Sequence, residues 1–276
     1  MIKEFVMKIK YIIPSALITI VLFVVGCEKN VLDYGEVEKL EADQALLKIN
    51  YVSQYKSNPS VVLKLNDTRI SSIMTSRTPF PGGGYNTGGG SQPDFLVVKP
   101  GAVKLTVAVP FKKDTGKDSL VLYNTTLQIA AGGRYVAHVT DTATNTKTFI
   151  TQEDFVRPDS GFCAYRFTNL MPDVPAVDLY YGTSATVHTA DTLLAGNISY
   201  LAISSQFKVR FGQAKTWKIR RAGAALTTAT ILASYTSTNT FVNSRVYNIM
   251  ASGYGVYPTT PTTETRRPFV SFFLIR

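Results

Sequence analysis

Short runs of β-branched and aromatic residues that alternate one by one with polar residues constrain the fold of this chain most strongly. In the first such run, Leu47, Ile49 and Tyr51 alternate with Lys48 and Asn50. Similar runs recur at short intervals, broken by Gly, Pro, Asn and Asp, at 61–65, 95–98, 103–109, 120–123, 135–139, 162–167, 177–181, 200–203, 207–211, 216–219, 246–250 and 269–275. Alternation with period two is typical of strands that bury one face. The sequence therefore predicts an all-β fold built from antiparallel β-sandwiches.

The pattern of strands begins again halfway along the chain. The segment 101–107 has a counterpart at 213–219, and the segment 133–136 has one at 244–247. The offset of about 112 residues is the size of one Ig-like domain. We therefore expect two tandem Ig-like or transthyretin-like antiparallel sandwiches at 44–157 and 158–276, joined where Pro158 and Gly161 favour a boundary.

The N-terminal segment has the parts of a secretory signal. Three lysines precede an apolar run at 11–25, which is shorter than the roughly 20 residues of a membrane-spanning helix. The run ends in Val-Val-Gly-Cys at 24–27, which resembles the lipobox of bacterial lipoproteins. This resemblance implies cleavage between Gly26 and Cys27 and a diacylglyceryl group on Cys27; a plain N-terminal membrane anchor is the alternative.

These features predict where the protein resides. Residues 1–26 are expected to be a lipoprotein signal peptide, and the acidic stretch 27–43 a lipidated tether. The protein would then be lipid-anchored at the bacterial outer membrane, on its periplasmic or cell-surface face. Its membrane partner would be reached through the lipid on Cys27.

Cysteine and histidine are too scarce to indicate a reaction. With Cys27 assigned to lipid, no disulfide is expected, and Cys163 lies in an alternating run where it behaves as a small core residue. His138 lies within a strand and His188 in a polar loop, with no metal-ligand spacing and no nucleophile motif. We predict no metal, no cofactor, no catalytic residue and no enzymatic activity.

Charge and loop composition also favour a structural interpretation. The net charge of +10 is scattered, with no basic run of five or more, so nucleic acid is not expected as a partner. The glycine-rich stretch 79–93 lacks the Gly-Lys-Ser/Thr and helix of a phosphate site and is expected to be a mobile loop. The stretch 114–118 holds two carboxylates and is expected to be a turn rather than a calcium loop.

Three Asp-Ser/Thr-aliphatic triplets resemble the acceptor motif of a periplasmic O-glycosylation system found in some Gram-negative bacteria. They begin at positions 118, 141 and 191. The resemblance implies that Ser119, Thr142 and Thr192 are acceptors for a sugar.

The sequence of the segment 162–180 predicts two strands joined by a turn. The first strand ends at Asn169, the turn contains Pro172, Asp173 and Pro175, and the second, aromatic strand begins with Val177-Asp178. Together with 245–253, this segment resembles an extracellular family of domains of unknown function, DUF family 4397. Residues 162–253 fit the pattern well and 45–140 loosely. The resemblance implies an Ig-like sandwich on a secreted or lipid-anchored bacterial protein and implies no activity. From the residues themselves we expect Asp173 to cap its turn and Asp178 to accept from loop N–H groups.

Three hypotheses of function follow. The first is a non-enzymatic binding or adhesion module whose protein or glycan partner is unknown. The second is a subunit of a surface fibre, similar to fimbrillin-type pilins, in which the apolar segment 266–275 would be a donor strand rather than the closing strand of its own domain. The third is an accessory glycan-binding lipoprotein, although core packing accounts for most of the tyrosines and for Trp217.

Overall fold

The computed structural model describes residues 42–76, 95–112, 116–182, 186–212, 215–237, 243–261 and 263–275. The predicted signal peptide, Cys27, most of the predicted tether and the glycine-rich stretch 79–93 lie outside these residues, as do positions 114 and 115 of the predicted turn. The described chain is nearly all β, with several open sheets, which confirms the predicted sandwich-type fold. Its helical parts are two single 3₁₀ turns, Ala143–Asn145 and Thr228–Thr230, so no described helix is long and apolar enough to cross a membrane.

The first sandwich contains eight strands in its described residues. They are β1 (Ala45–Tyr51), β2 (Val62–Leu65), β3 (Thr68–Arg69), β4 (Leu96–Val98), β5 (Gly101–Pro110), β6 (Asp118–Ile129), β7 (Arg134–Thr140) and β8 (Lys147–Gln152). One sheet has the order β4-β1-β7-β8 and the other β3-β2-β5-β6. The apolar members of the alternating runs, such as Ile49, Leu63 and Val107, are buried between the two sheets.

The second sandwich is built in the same way from the remaining strands. They are β9 (Phe162–Asn169), β10 (Ala176–Gly182), β11 (Thr192–Ser199), β12 (Ala202–Ile203), β13 (Phe207–Arg210), β14 (Lys215–Arg221), β15 (Ile231–Ser237), β16 (Val246–Ser252) and β17 (Phe269–Leu274). One sheet has the order β11-β10-β14-β15; in the other, β12 and β13 both pair with β9, which is followed by β16 and β17.

The two sandwiches share one strand order, with β1, β2, β5, β7 and β8 corresponding to β9, β10, β14, β16 and β17. The similar sequence segments lie on corresponding strands, β5 with β14 and β7 with β16. Each sandwich also contains one parallel pair, β1 with β7 and β9 with β16, beside its antiparallel pairs. In each sandwich the chain passes through the opposite sheet before β7 or β16 returns beside the first strand, and the returning strand runs in the same direction as that first strand.

Trp217 is the centre of the second core. It is fully buried, and its ring lies 4.5 Å from that of Tyr181, 5.0 Å from that of Tyr165 and 5.6 Å from that of Phe272. Aromatic pairs at these distances add to the stabilisation that burial provides. Cys163 is completely buried in the same cluster, as its alternating run predicts.

The C-terminal strand is an integral part of the second sandwich. All six residues of β17 are buried, and each pairs with a residue of β16. Val270 and Phe272 enter the core, whereas Phe273 faces the first sandwich. In this structure the segment therefore closes its own domain.

The sandwiches pack face to face through the sheets that contain β1 and β9. Apolar residues from both, including Val52, Val136, Met250 and Phe273, form a separate cluster between them. Polar side chains are buried in the same layer, and we call His138, Asn50, Thr151, Glu153 and Asn248 the polar layer. Residues 40–276 consequently form one compact unit.

Candidate functional site

Four ionisable side chains are buried on the outer face of the sheet β11-β10-β14-β15. Lys218 and Arg220 alternate with Trp217 in β14, so they point away from the core, yet neither is exposed to solvent. The Lys218 ammonium lies 2.7 and 2.9 Å from the two carboxylate oxygens of Asp191 and 2.9 Å from Nδ1 of His188. We call these four residues the ionic cluster. Burying such cations requires an opposite charge and hydrogen bonds within reach, which Asp191 and His188 supply.

The hydrogen bonds of the cluster assign the tautomer of His188. A lysine ammonium can only donate, so Nδ1 of His188 accepts its hydrogen and the ring hydrogen lies on Nε2. Nε2 is 3.0 Å from Oγ1 of Thr228 and therefore donates to it. Asp191 approaches Nδ1 at 3.5 Å, so Thr228, His188 and Asp191 have the order of a hydrolase triad. In a hydrolase triad, Nε2 of the histidine has a free lone pair and acts as the general base. Because Lys218 donates to Nδ1, the ring hydrogen of His188 lies on Nε2, and Nε2 has no free lone pair.

Arg220 fixes the segment that carries Thr228. Its Nη1 donates to the carbonyl of Thr227 and to the hydroxyl of Thr230, on either side of that residue. Its Nη2 lies 3.8 Å from the Asp191 carboxylate. The ionic cluster therefore holds the 3₁₀ turn Thr228–Thr230 against the sheet.

A cavity of about 400 Å³ lies beside this turn, between β15 and the start of β17. Its polar wall consists of Thr228, Ser234, Thr259 and Arg267, and its apolar wall includes Ile231 and Pro268. The described residues that line it include one cation and no carboxylate.

The cavity lies at the end of the structure opposite the start of β1. β1 and β7 are parallel, and Asp141, which follows β7, accepts a hydrogen bond of 2.9 Å from Tyr254, which follows β16. Ser252, at the end of β16, pairs with Phe269 in the cavity wall. The cavity and the start of β1 are therefore at opposite ends of the described structure.

The acidic residues of the motif in 162–180 hold loops. Asp178 accepts from the backbone N–H groups of Asn197 and Gly223 at 2.7 and 2.9 Å, which confirms its predicted role. Asp173 was expected to cap its own turn, but its two oxygens accept from the N–H groups of Gly255 and Val256, both at 2.8 Å. Two adjacent N–H donors from the loop after β16 thus determine the orientation of the Asp173 carboxylate.

The three residues of the O-glycosylation motif lie in different environments. Ser119 is exposed on β6, and Thr192 is exposed at the start of β11. Thr142 is half-buried, and its hydroxyl lies 3.1 Å from that of Tyr254. A glycosyltransferase could reach the first two more easily than Thr142.

The polar layer contains two groups whose protonation is altered by burial. Burial lowers the pKa of His138 to about 3, and the amide of Asn50 lies 2.8 Å from its Nδ1. Burial raises the pKa of Glu153, although its carboxylate accepts from Thr151 at 2.7 Å and from Asn248 at 2.8 Å, and Arg166 lies 3.9 Å away. Asn248 belongs to the second sandwich and Glu153 to the segment after β8, so their contact joins the two.

The ionic cluster was not predicted from the sequence. His188 was placed in a polar loop, and Asp191 was considered only as part of a glycosylation motif. The available signal was the run from Trp217 to Arg220, in which two cations share one face of a strand. In the described part of the chain no group of three or more His, Cys, Asp or Glu residues is arranged to hold a metal ion.

Comparisons with known proteins identify no relative that shows a family. No family model and no curated protein match the chain. Among solved structures, a leucine-rich repeat protein from Bacteroides thetaiotaomicron is 14% identical over 75% of this chain, which spans 25% of that protein, with a TM-score of 0.18. A streptococcal virulence factor that binds α-glucan is 7% identical over 75% of this chain and 92% of its own, with a TM-score of 0.22. Neither similarity is close enough to transfer a fold or an activity.

Proposed function

We propose that this chain is a non-enzymatic, lipid-anchored binding module of the bacterial cell envelope, of the kind that DUF family 4397 represents. The cavity beside the turn Thr228–Thr230, at the end opposite the start of β1, is the observation that carries the proposal. Its walls combine hydroxyl groups, one guanidinium and apolar surface, so hydrogen-bonding groups lie beside apolar groups in the cavity.

The buried ionisable groups support binding over catalysis. The His188 ring cannot serve as a base toward Thr228 while Lys218 donates to Nδ1. Asp173 and Asp178 accept from backbone N–H groups of loops, and Glu153 accepts from two side chains of the polar layer. These groups are engaged in holding the fold rather than directed toward a substrate.

Anchoring is tested by labelling cells that express the protein with radioactive palmitate. We expect the wild type to be labelled and the Cys27→Ser variant to lose the label. Cys163→Ser is the matched control, because this residue is completely buried in the second core and should leave labelling unchanged. Equal labelling of the wild type and Cys27→Ser would refute the lipid anchor.

Binding without turnover is tested on a glycan array, followed by product analysis. The purified protein is expected to retain at least one class of glycan and to release no new reducing ends after prolonged incubation. Release of product from a retained glycan would overturn the non-enzymatic proposal, and failure to retain any glycan would overturn glycan binding.

The structure also sets a test that separates a binding module from a fibre subunit. Because β17 contributes Val270, Phe272 and Phe273 to two clusters, deletion of 268–276 is expected to unfold the second sandwich. If the wild type instead forms fibres, and the deletion variant stays folded and monomeric, the segment is a donor strand. Circular dichroism and electron microscopy distinguish these results.

A further inference from the structure

We propose that Lys218 and Asp191 condense into an amide bond, which joins β14 covalently to the residue that precedes β11. The step is a self-modification of the folded chain and does not depend on the proposed binding function. It follows from the position of the two side chains, from their burial and from His188, which lies within reach of both.

The two side chains meet across the strand that separates them. In their sheet β10 lies between β11 and β14, so Asp191 reaches Lys218 over β10. Gly182 ends β10 at this contact, and a Cβ there would overlap Oδ1 of Asp191 and lie 3.2 Å from Nζ of Lys218. The φ angle of Gly182 is outside the left-handed region, so the backbone conformation does not require glycine. The missing side chain is therefore what allows the two groups to approach.

The reacting groups are in contact and shielded from water. Nζ of Lys218 lies 2.7 Å from Oδ1 and 2.9 Å from Oδ2 of Asp191, the two oxygens bonded to the carboxyl carbon. The exposed fractions of the two side chains are 0% and 1%. Groups held in a productive orientation react as if at an effective concentration of about 10⁵–10⁸ M. Because water is a product of the condensation, its exclusion also favours the amide.

His188 provides a path for the protons. Its Nδ1 accepts from Nζ of Lys218 at 2.9 Å and lies 3.5 Å from Oδ2 of Asp191. The ammonium gives one proton to Oδ2 along their hydrogen bond, and the resulting amine attacks Cγ. Nδ1 then takes a second proton from the nitrogen and passes it to Oδ2.

The bonds and charges of the step balance. The Nζ–Cγ bond forms, the Cγ–Oδ2 bond breaks, and Oδ2 leaves as water with the two protons. Oδ1 remains as the amide oxygen, one hydrogen remains on the nitrogen, and His188 returns to its neutral form. Nη2 of Arg220, 3.8 Å from Oδ2, places positive charge beside the carboxyl group while negative charge develops on its oxygens.

Two exposed ion pairs provide a contrast. Lys104 lies 2.8 Å from Asp67, and Lys208 lies 3.0 Å from Asp159, distances similar to those in the ionic cluster. Both pairs are in solvent, where water stabilises the separate charges. The second histidine of the chain lies in the polar layer, so it is not available to these pairs.

The bond closes residues 191–218 into a covalent loop. Such a loop restricts the unfolded chain as a disulfide does and so favours the folded state. Cys163 is buried and free, so this residue makes no disulfide in the second sandwich. The amide would supply the covalent brace instead.

The experiment is mass spectrometry of the purified full-length protein and of its tryptic digest after denaturation. Trypsin does not cleave after an acylated lysine, so the cross-link yields one product that joins the peptide 167–208 to the peptide 216–220. The mass of this product is lower by one water molecule than the sum of the two peptides. Fragmentation is expected to place the bond at residues 191 and 218.

Substitutions assign the loss of water to the cluster. Intact Lys218→Met should be heavier than the wild type by one water molecule more than the substitution accounts for. The matched control is Lys208→Met, which removes an exposed lysine and should differ from the wild type by the substitution alone. His188→Ala should form the joined product at least about a hundredfold more slowly, because it lacks the proton acceptor.

Three results would overturn the inference. The first is a wild-type digest that contains 167–208 and 216–218 as separate peptides and no joined product, a result that does not require any variant to fold. The second is a loss of water that persists in Lys218→Met, because a cyclised aspartate would then be its source. The third is formation of the joined product in His188→Ala at the wild-type rate, which would refute the proton path. The glycan array tests the proposed binding function independently of all three.

Discussion

Acid should destabilise this protein through His138. The residue is completely buried in the polar layer, where burial lowers its pKa from about 6.5 to about 3. Its Nδ1 accepts from Asn50, so protonation would place two donors opposite each other at 2.8 Å. Between these two pKa values, His138 is therefore neutral in the folded protein and protonated in the unfolded chain. Stability from this residue is fully present above pH 6.5 and is lost as the pH falls toward 3.

The size of the effect follows from linkage. Each pH unit between the two pKa values changes the free energy of unfolding by about 1.4 kcal/mol. Between pH 7.5 and pH 4.5 the contribution of His138 should fall by roughly 2–3 kcal/mol. Such a loss is a large fraction of the stability of an ordinary domain.

The assay is urea unfolding of the wild type and of His138→Gln at pH 7.5, 6.0 and 4.5. Glutamine can still accept from Asn50 and does not titrate. His188 and every carboxylate are present in both proteins, so their effects cancel in the stability difference between wild type and variant. The stability of the wild type relative to the variant should fall by roughly 2–3 kcal/mol across this range. If the stability difference between the wild type and His138→Gln stays constant within about 0.5 kcal/mol at the three pH values, the reasoning is refuted, because the imidazole is then not buried as a neutral group.

Other side chains give further tests by the same unfolding assay. Burial raises the pKa of Glu153, so the contribution of this residue to the free energy of unfolding is lost as the pH rises. Glu153→Gln should therefore gain stability relative to the wild type from pH 4.5 to 7.5, and a relative loss would contradict this. Asp191→Asn leaves buried cations without their carboxylate and should cost about 3–5 kcal/mol, which the added change Lys218→Met should partly restore; a cost below about 1 kcal/mol would contradict burial of the pair. Asp178→Ala should accelerate hydrogen exchange at the two loop amides that it binds, and unchanged exchange would show that other contacts hold these loops.

The sequence was sufficient to predict the β-sandwich architecture. Period two in the run Leu47 to Tyr51 identified β1, and its apolar members do enter the first core. The role of Asp178 was also predictable, since a carboxylate at the mouth of a strand commonly binds N–H groups of a nearby loop.

What lies against the second face of a strand was not predictable. Alternation alone assigns Lys48 and Asn50 to a solvent face, but the second sandwich covers both. Lys218 and Arg220 are covered by loops in the same way. Period two separates the two faces of a strand but does not state which of them packs against another sheet, so both the polar layer and the ionic cluster required the structure.

The position of β1 has a mechanical consequence for a protein held by its N-terminus. A load that enters through residue 44 pulls along β1, which is hydrogen-bonded to β4 on one side and to β7 on the other. These bonds run across the direction of the pull, perpendicular to β1 on the β4 side and slanted on the β7 side, so they are loaded together in shear rather than opened one after another. A ligand held at the opposite end would place the load along this direction. The pairing of β1 therefore equips the first sandwich to resist a pull applied at its N-terminal end.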